Sequence, residues 1–237
     1  MQESVIQWPL GLDHNDLAGA GVTAIVALQF ASQTSTRQYI ARRKQVPLSL
    51  RLRWVEQVFD AVRFVHSRGV LHADISCDDV FLDDNLNVKL GDFAGSRIDE
   101  LAPLLCYETS HELPGEDIST RAELFALGST VYEIMTGLKP YGDLPDHEVS
   151  AAFSEACYPD LKSVAAFRHT IMKCWRQSYV SAEEALCDIR VEVAAMKEPR
   201  GSRFCALLGH ETVLVPFVLT AGFLIAFVGW VRSWRSF

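Results

Sequence analysis

The sequence predicts an α+β fold in which helices dominate, with one membrane-spanning helix near its C-terminal end. Three observations lead to this prediction. Apolar residues recur at helical spacing in three long segments between residues 50 and 197. Two short β-type runs, 80–82 and 87–90, lie close together between these segments. Residues 213–231 form a long apolar run without a charge.

The first elements in the chain are a strand at residues 22–30 and an amphipathic helix at residues 50–66. In that helix apolar residues return at every third or fourth position, while arginine and glutamate occupy the other face. Residues 19–24, Gly-Ala-Gly-Val-Thr-Ala, are similar to a phosphate-binding glycine loop. No lysine follows them until Lys44, so we favour an ordinary loop before the strand.

The two β-type runs lie between two acidic motifs. Asp74 follows His72 in a loop, and Asp92 precedes Phe93 after the second run, 92 − 74 = 18 positions later. This joint spacing is improbable by chance and makes both aspartates candidate functional residues. The alternative role for each carboxylate is that of a simple turn cap.

Four further helices are predicted downstream. Residues 121–137 carry an apolar stripe and are expected to form a long buried helix, followed by a second, short helix beyond residues 139–141. Residues 171–175 form part of the next helix. The last helix begins after Ser181, a good N-cap, and stops before Pro199.

This order of elements over about residues 28–197 resembles the catalytic core of protein kinases. The sequences of its loops are most similar to those of divergent kinase-like proteins of fungi. His72-Ala-Asp74 is similar to the family's H-R-D motif, and Asp92-Phe93-Ala94 is similar to D-F-G. The resemblance implies a protein-kinase-like fold, mainly its α-helical C-lobe. In this scheme residues 31–197 form the C-lobe, and residues 1–30 form an N-lobe remnant with the hinge strand.

The resemblance also implies a set of site residues. Asp74 takes the place of the catalytic base, and Asp79 and Asp92 take the places of the Mg²⁺ ligands. The hinge residues Gln29 and Ala31 would offer a backbone edge to the adenine of ATP. ATP and Mg²⁺ are therefore the cofactors expected of an active protein.

Several residues depart from the family pattern. Ala73 replaces the arginine that binds a phosphate group on the activation segment, and Ser76 replaces a lysine that lies near the transferred phosphate. Asp79 replaces a metal-binding asparagine, and a carboxylate oxygen is also a competent Mg²⁺ ligand. Ala94 replaces a glycine, which is expected to make the segment less free to change conformation. Glu123 replaces an aspartate and is expected to accept the same hydrogen bonds from the catalytic loop.

The activation segment has unusual features as well. The Pro-Glu pair that customarily ends it is not recognisable in residues 113–117, and no arginine follows Trp175 at the family's spacing. The buried ion pair between those two elements is therefore not expected, and nothing in the sequence predicts a rigidly held segment. His111 is interpreted as an exposed loop residue.

The short N-terminal part bears directly on function. A full N-lobe of five strands and a helix needs roughly 70 to 90 residues, so we expect a truncated N-lobe without its glycine-rich loop and strand lysine. The C-lobe face that normally packs under it would expose apolar surface and bind a protein partner. Three interpretations remain open: a pseudokinase-like binding or scaffold module with impaired catalysis, an active serine/threonine protein kinase, and a truncated product of such an enzyme.

Composition excludes other classes. The net charge of −8 provides no basic surface, so nucleic acid is not an expected partner. The six cysteines form no C-x-x-C pair and no framework spacing, which predicts reduced thiols in the cytosol.

The C-terminal segment predicts a membrane anchor. After a linker at residues 198–212, residues 213–231 comprise 231 − 213 + 1 = 19 uncharged residues, or about 28 Å as a helix, close to the ~30 Å of a bilayer core. Trp230 and Trp234 would lie at the membrane interface. The short tail at residues 232–237 suggests post-translational insertion of a single-pass, tail-anchored protein whose kinase-like domain faces the cytosol. The alternative is a buried core helix.

Overall fold

The computed structural model describes residues 4–6, 28–30, 34–43, 45–98 and 107–197, the first two ranges as backbone only. The chain divides into two compact units, Met1–Val193 and Ala194–Phe237. Of the second unit only residues 194–197, the end of the last helix, are described. Within the described ranges no helix is both long and apolar enough to cross a membrane. The predicted linker, membrane span and tail, residues 198–237, lie outside these ranges.

The described residues of the first unit are mainly helical and include three small two-stranded sheets. The helices are α1 (Thr36–Arg42), α2 (Leu48–His66), α3 (Thr120–Thr136), α4 (Asp146–Ser154), α5 (Arg168–Trp175) and α6 (Ala182–Lys197). The strands are β1 (Ser4–Ile6), β2 (Leu28–Phe30), β3 (Val70–Leu71), β4 (Val80–Leu82), β5 (Val88–Leu90) and β6 (Arg97–Ile98). All three pairs, β1–β2, β3–β6 and β4–β5, are antiparallel.

The predicted helices α2 and α6 are confirmed. α2 begins directly after Pro47, two residues before the predicted start, and buries its apolar face in the core. It is followed by Gly69, whose φ of 71° lets the chain turn sharply toward β3. The hydroxyl of Ser181 accepts a hydrogen bond from Glu184 N at 3.2 Å, so it caps α6 as predicted.

The long helix α3 forms the centre of the core, as its apolar stripe predicts. The Ser119 hydroxyl caps its first turn by accepting a hydrogen bond from Ala122 N at 3.2 Å, and Gly137 ends it in the left-handed conformation. Helix α5 packs very closely against α3, because a Cβ at Gly128 would lie 2.7 Å from the Cβ of Cys174. The indole N–H of Trp175 donates to the Ser129 hydroxyl at 3.0 Å in this interface.

The β4–β5 hairpin brings the two acidic motifs together. Val80 pairs with Leu90 and Leu82 pairs with Val88, so the two β-type runs form an antiparallel hairpin. Because β3 pairs with β6, the segment that contains the first motif and the segment that contains the second lie side by side. Of the strand predicted at residues 22–30, the structure describes only residues 28–30, which form β2.

Helix α1 has no counterpart among the sequence predictions. It is seven residues long, and only Thr36 and Ile40 are buried, so it carries almost no periodic apolar signal. Its contacts with distant segments place it beside the catalytic loop, as described below.

Candidate catalytic site

The three candidate carboxylates lie on two adjoining loops. Asp74 and Asp79 belong to the loop between β3 and β4, called here the catalytic loop (residues 72–79), and Asp92 lies just after β5. The backbone N–H of Gly91 donates to the carbonyl of Asp79 at 2.9 Å, which joins the two loops directly. Asp92 is exposed, whereas Asp79 is buried.

The charges of these carboxylates affect one another. Burial, together with the charges of Asp74 and Asp92, raises the pKa of Asp79 to about 7, although a hydrogen bond from Ser76 opposes this. Burial also raises the pKa of Asp74, and the charge of Asp92 contributes in the same direction. The structure therefore brings the predicted base and the two predicted metal ligands into one electrostatic site.

Gln29 and Ala31, the predicted adenine contacts, are placed only in part. The backbone of Gln29 belongs to β2 and lies opposite Val5 of β1. Ala31 lies outside the described residues, so its role stays a prediction.

Two aromatic residues, His72 and Phe93, pack against each other at this site. The ring of His72 lies 4.7 Å from that of Phe93, and its Nε2 is 2.6 Å from the carbonyl oxygen of Gly91. The rings of His72 and Phe93 hold the loop that contains Asp92 in place. Neither ring forms a hydrogen bond with Asp74, Asp79 or Asp92.

The D-F-G-like segment begins with an unusual backbone conformation. Asp92 has the left-handed φ of 57°, and a 3₁₀ turn at Phe93–Gly95 follows. The left-handed backbone thus occurs at Asp92, and aspartate is one of the residue types that adopt this region more readily than most residues with a Cβ.

The prediction for Glu123 is confirmed. Its buried carboxylate accepts a hydrogen bond from the backbone N–H of Ala73 at 2.7 Å, and its second oxygen contacts the ring of His66. Ala73 has a φ of 73°, which is costly for a residue with a Cβ. The longer glutamate therefore fixes both the end of α2 and a strained point of the catalytic loop.

Ser76, at the place of the family's lysine, has a local role. Its hydroxyl donates to Asp79 Oδ2 at 2.7 Å and accepts from the backbone N–H of Asp78 at 3.1 Å. Among residues 34–43, 45–98 and 107–197, no lysine or arginine forms an ion pair with Asp74, Asp79 or Asp92.

The donor atoms nevertheless suit a magnesium ion. Asp79 and Asp92 offer the oxygen ligands that Mg²⁺ prefers, provided that Asp79 is ionised. The phosphates of a nucleotide would add negative charge to a site that already contains three carboxylates, and no described cation offsets it. The described residues thus fit the metal better than the nucleotide.

A second polar cluster adjoins the catalytic loop, and sequence reasoning missed it. Arg37 of α1 forms ion pairs with Asp78, Glu108 and Glu133, and Lys139 also pairs with Glu108. These residues come from separate parts of the chain, and no local pattern in the sequence marks them as partners.

His111 belongs to this cluster, and the prediction of an exposed loop residue is wrong. It lies in a 3₁₀ turn, is fully buried, and its Nδ1 is 3.0 Å from Glu108 Oε1. Its position next to an acidic residue in a buried turn depends on tertiary packing, which the polar sequence around it does not reveal.

Glu108, His111 and Glu133 also provide a potential set of metal ligands, since one ligand atom from each lies within 4.8 Å of the others. The guanidinium of Arg37, however, already contacts both oxygens of Glu133, at 2.5 and 2.7 Å. A cation of the chain itself therefore occupies this site.

Comparison with known proteins agrees with the resemblance. A family model described as the protein kinase domain matches residues 16–185, which is more than two thirds of the chain. Mitogen-activated protein kinase kinase kinase 9 of Arabidopsis thaliana is 27% identical over 165 residues, covering 65% of this chain and 21% of the relative. Aurora kinase of Schizosaccharomyces pombe is 27% identical over 141 residues, covering 57% of this chain and 39% of the relative.

A third relative, mitogen-activated protein kinase kinase kinase 1b of Physcomitrium patens, is 32% identical over 104 residues, or 40% of this chain and 14% of its own length. The chain thus spans less than half the length of each of these relatives.

Proposed function

Because the chain belongs to the protein kinase family, we propose that it is a membrane-anchored kinase-domain protein with impaired catalysis, which acts as a pseudokinase-like binding or scaffold module. The observation that carries this proposal is the bond from the Ser76 hydroxyl to the Asp79 carboxylate. A neutral hydroxyl, already engaged inside the loop, stands where the family places a cation.

The loss of that cation affects the reaction directly. Phosphoryl transfer depends mainly on positioning and on stabilising negative charge, so removing one preorganised group costs about 3 kcal/mol, or roughly a hundredfold in rate. Ala73 removes a second cation, which in the family reads activation-segment phosphate. Both losses concern residues within the described catalytic loop and are independent of where the chain begins.

The cofactors follow from the same residues. Asp92 and ionised Asp79 would hold Mg²⁺, and ATP, when bound, would supply the phosphoryl group. With a pKa of about 7, Asp79 is partly protonated at neutral pH, which weakens it as a ligand. We therefore expect weak binding of Mg-ATP.

One alternative has support of its own. Asp74 and Asp92 are both retained, and Glu123 still anchors the loop through Ala73 N. These features favour an ATP-dependent serine/threonine protein kinase, or a truncated product of one, in which Asp74 is the base. The two proposals differ in the rate of phosphotransfer and in the affinity for nucleotide.

Calorimetry and a phosphotransfer assay on the full chain separate them. The scaffold proposal predicts a Kd for Mg-ATP well above the micromolar range and phosphotransfer at background level. Low-micromolar affinity, together with activity that Asp74→Asn and Asp92→Asn each abolish, would instead support the enzyme. Activity that survives both substitutions would indicate a contaminating kinase.

Membrane attachment through residues 213–231 is part of the proposal, with the lipid bilayer as a partner and the kinase-like domain in the cytosol. Its support is the length and apolarity of that run in the sequence. It is tested by a substitution described in the Discussion.

A protein partner is proposed at the exposed face of the C-lobe. Ile75, Val80 and Leu82, at the base of the catalytic loop, are fully buried, so a partner there would contact other residues. Exposed apolar side chains occur instead at Val180 and Val191, which are 83% and 71% exposed. Single exposed residues of this kind are common, so the partner is best identified by crosslinking.

A further inference from the structure

Arg37 lies where four segments meet. It belongs to α1 and forms ion pairs with Asp78 of the catalytic loop, Glu108 of the activation segment and Glu133 of α3. Its Nε and Nη2 are 2.5 and 2.7 Å from the two oxygens of Glu133, which is the two-point geometry that favours arginine over lysine. Its Nη1 and Nη2 both contact Glu108.

The ion pairs of Arg37 with Glu133 and Glu108 are largely removed from solvent, whereas its pair with Asp78 is not, because the Asp78 side chain is 50% exposed. The side chain of Arg37 is 19% exposed, that of Glu133 is 4% exposed and that of Glu108 is 26% exposed. Removing one partner from such a group leaves the others buried and unpaired, which is more costly than breaking an exposed pair. The interaction therefore differs in kind from surface pairs such as Arg190 with Glu56.

The position of Arg37 is fixed by its own backbone. The N–H of Arg37 donates to the carbonyl of Cys77 at 3.2 Å, and the Thr36 hydroxyl donates to the same carbonyl at 2.9 Å. Helix α1 is thus attached to the catalytic loop before its guanidinium contacts any carboxylate. A cation held at a fixed point can select one position for a partner carried on a loop, which here is Glu108.

The customary anchor of the activation segment is absent from the described residues. Glu116, an acidic residue of the stretch 113–117, makes no direct ion pair with the segment that follows α5. It accepts a hydrogen bond from the Ser119 hydroxyl at 3.2 Å and lies 3.7 Å from Arg121 Nη1, at the start of α3. It is connected to that segment only through Arg121, whose Nη2 donates to Gln177 Oε1.

We propose that Arg37 is a positioning residue that anchors the activation segment at Glu108, in place of the absent ion pair, and holds it against α3 and the catalytic loop without a phosphate group. Ala73 could not bind such a phosphate. This deepens the proposed function, because a permanently held segment gives a scaffold one constant surface to present. Lys139, which also pairs with Glu108, reinforces the same point of attachment.

Hydrogen exchange on the full chain in detergent, without nucleotide, tests this inference. The reporter amides are those of His111, which donates to the Glu108 carbonyl at 2.7 Å, and Glu116, which donates to the Leu113 carbonyl at 3.3 Å. The variants are Glu108→Gln, which removes only the activation-segment charge, and Arg37→Met. Arg190→Met is the matched control, since it removes an arginine from exposed ion pairs.

The anchor predicts at least tenfold faster exchange of the His111 amide in Glu108→Gln and in Arg37→Met, with exchange in α5 unchanged. Arg190→Met should leave the His111 amide unaffected. In the Arg37→Met background, adding Glu108→Gln should slow exchange again or leave it the same, because Glu108 no longer has its partner and its buried charge is removed.

Three results would overturn the proposal: unchanged exchange of His111 in Glu108→Gln, an equal increase across all helices in both variants, or independent effects that multiply in the double variant. Phosphotransfer by the wild-type protein would contradict the proposed scaffold function and leave the exchange result intact, so the two failures are distinguishable.

Discussion

Replacing Asp79 by asparagine should stabilise the protein, and the gain should grow with pH. Asparagine has nearly the same shape and can still accept the hydrogen bond from Ser76, but it carries no charge. In the wild-type protein, burial and the charges of Asp74 and Asp92 raise the pKa of Asp79 from 3.8 to about 7. The folded state therefore holds this proton more tightly than the unfolded state.

The pH window follows from these two values. The favourable contribution of protonated Asp79 is fully present below pH 3.8 and is lost progressively as the pH rises to about 7. At about 1.4 kcal/mol per pH unit, the complete loss amounts to about 4 kcal/mol at most. The advantage of Asp79→Asn in unfolding free energy should thus increase by up to about 1.4 kcal/mol per unit between pH 5 and 7 and then level off.

Chemical denaturation of the full chain in detergent at several pH values measures this difference. Asp117→Asn is a suitable control, because Asp117 is exposed and belongs to neither polar cluster. A stability difference that does not change between pH 5 and 7, or that decreases, would refute the placement of Asp79 among the other two carboxylates.

Three further predictions concern the loop, its anchor and the membrane. The combined substitution Ser76→Lys and Asp79→Asn should raise any residual phosphotransfer at least tenfold in a radiolabel assay, and no gain would contradict the argument from the lost cation. Glu123→Ala should lower the unfolding free energy by about 3 kcal/mol in denaturation experiments, because it leaves the Ala73 N–H buried without a partner. Glu123→Gln keeps a hydrogen-bond acceptor and should cost less than half as much. Equal losses in the two variants would show that the acceptor at residue 123 is not the important feature. Leu219→Arg places a charge near the middle of residues 213–231, at a cost of roughly 3 kcal/mol, and should shift the protein out of carbonate-washed membranes. The control Leu138→Arg, at an exposed site of the domain, should leave the protein in the membranes. If both variants remain in the membrane pellet, the span is wrongly assigned.

Much of the fold could be predicted because it depends on regular patterns between near neighbours. Apolar residues three and four positions apart predicted α2, α3 and α6 within two residues of their observed bounds. The two short β-type runs correspond to β4 and β5, although their pairing was not predicted. Short elements were less visible: α1 has two buried residues and no apolar stripe, so nothing in its own sequence distinguishes it from a loop.

The candidate site also has features that could be predicted from the sequence and features that could not. The resemblance of the motifs around Asp74, Asp79 and Asp92 to those of protein kinases predicted that these carboxylates form one site. The spacing could not predict that Asp79 is buried and Asp92 exposed, because burial depends on what packs over each loop. His111 shows the limit most plainly, since a residue among polar neighbours was expected at the surface and is fully buried.

The helical framework, the two acidic motifs and the substitutions at Ala73, Ser76 and Glu123 could be predicted from the residues alone, because each is a property of a residue and its close neighbours. The partners of Arg37 could not be predicted in this way. Glu133 is 96 residues away along the chain, Glu108 is 71 and Asp78 is 41. An ion pair of this kind forms only after the core has closed the loops between its members, so its energy depends on the geometry and burial that the whole fold provides.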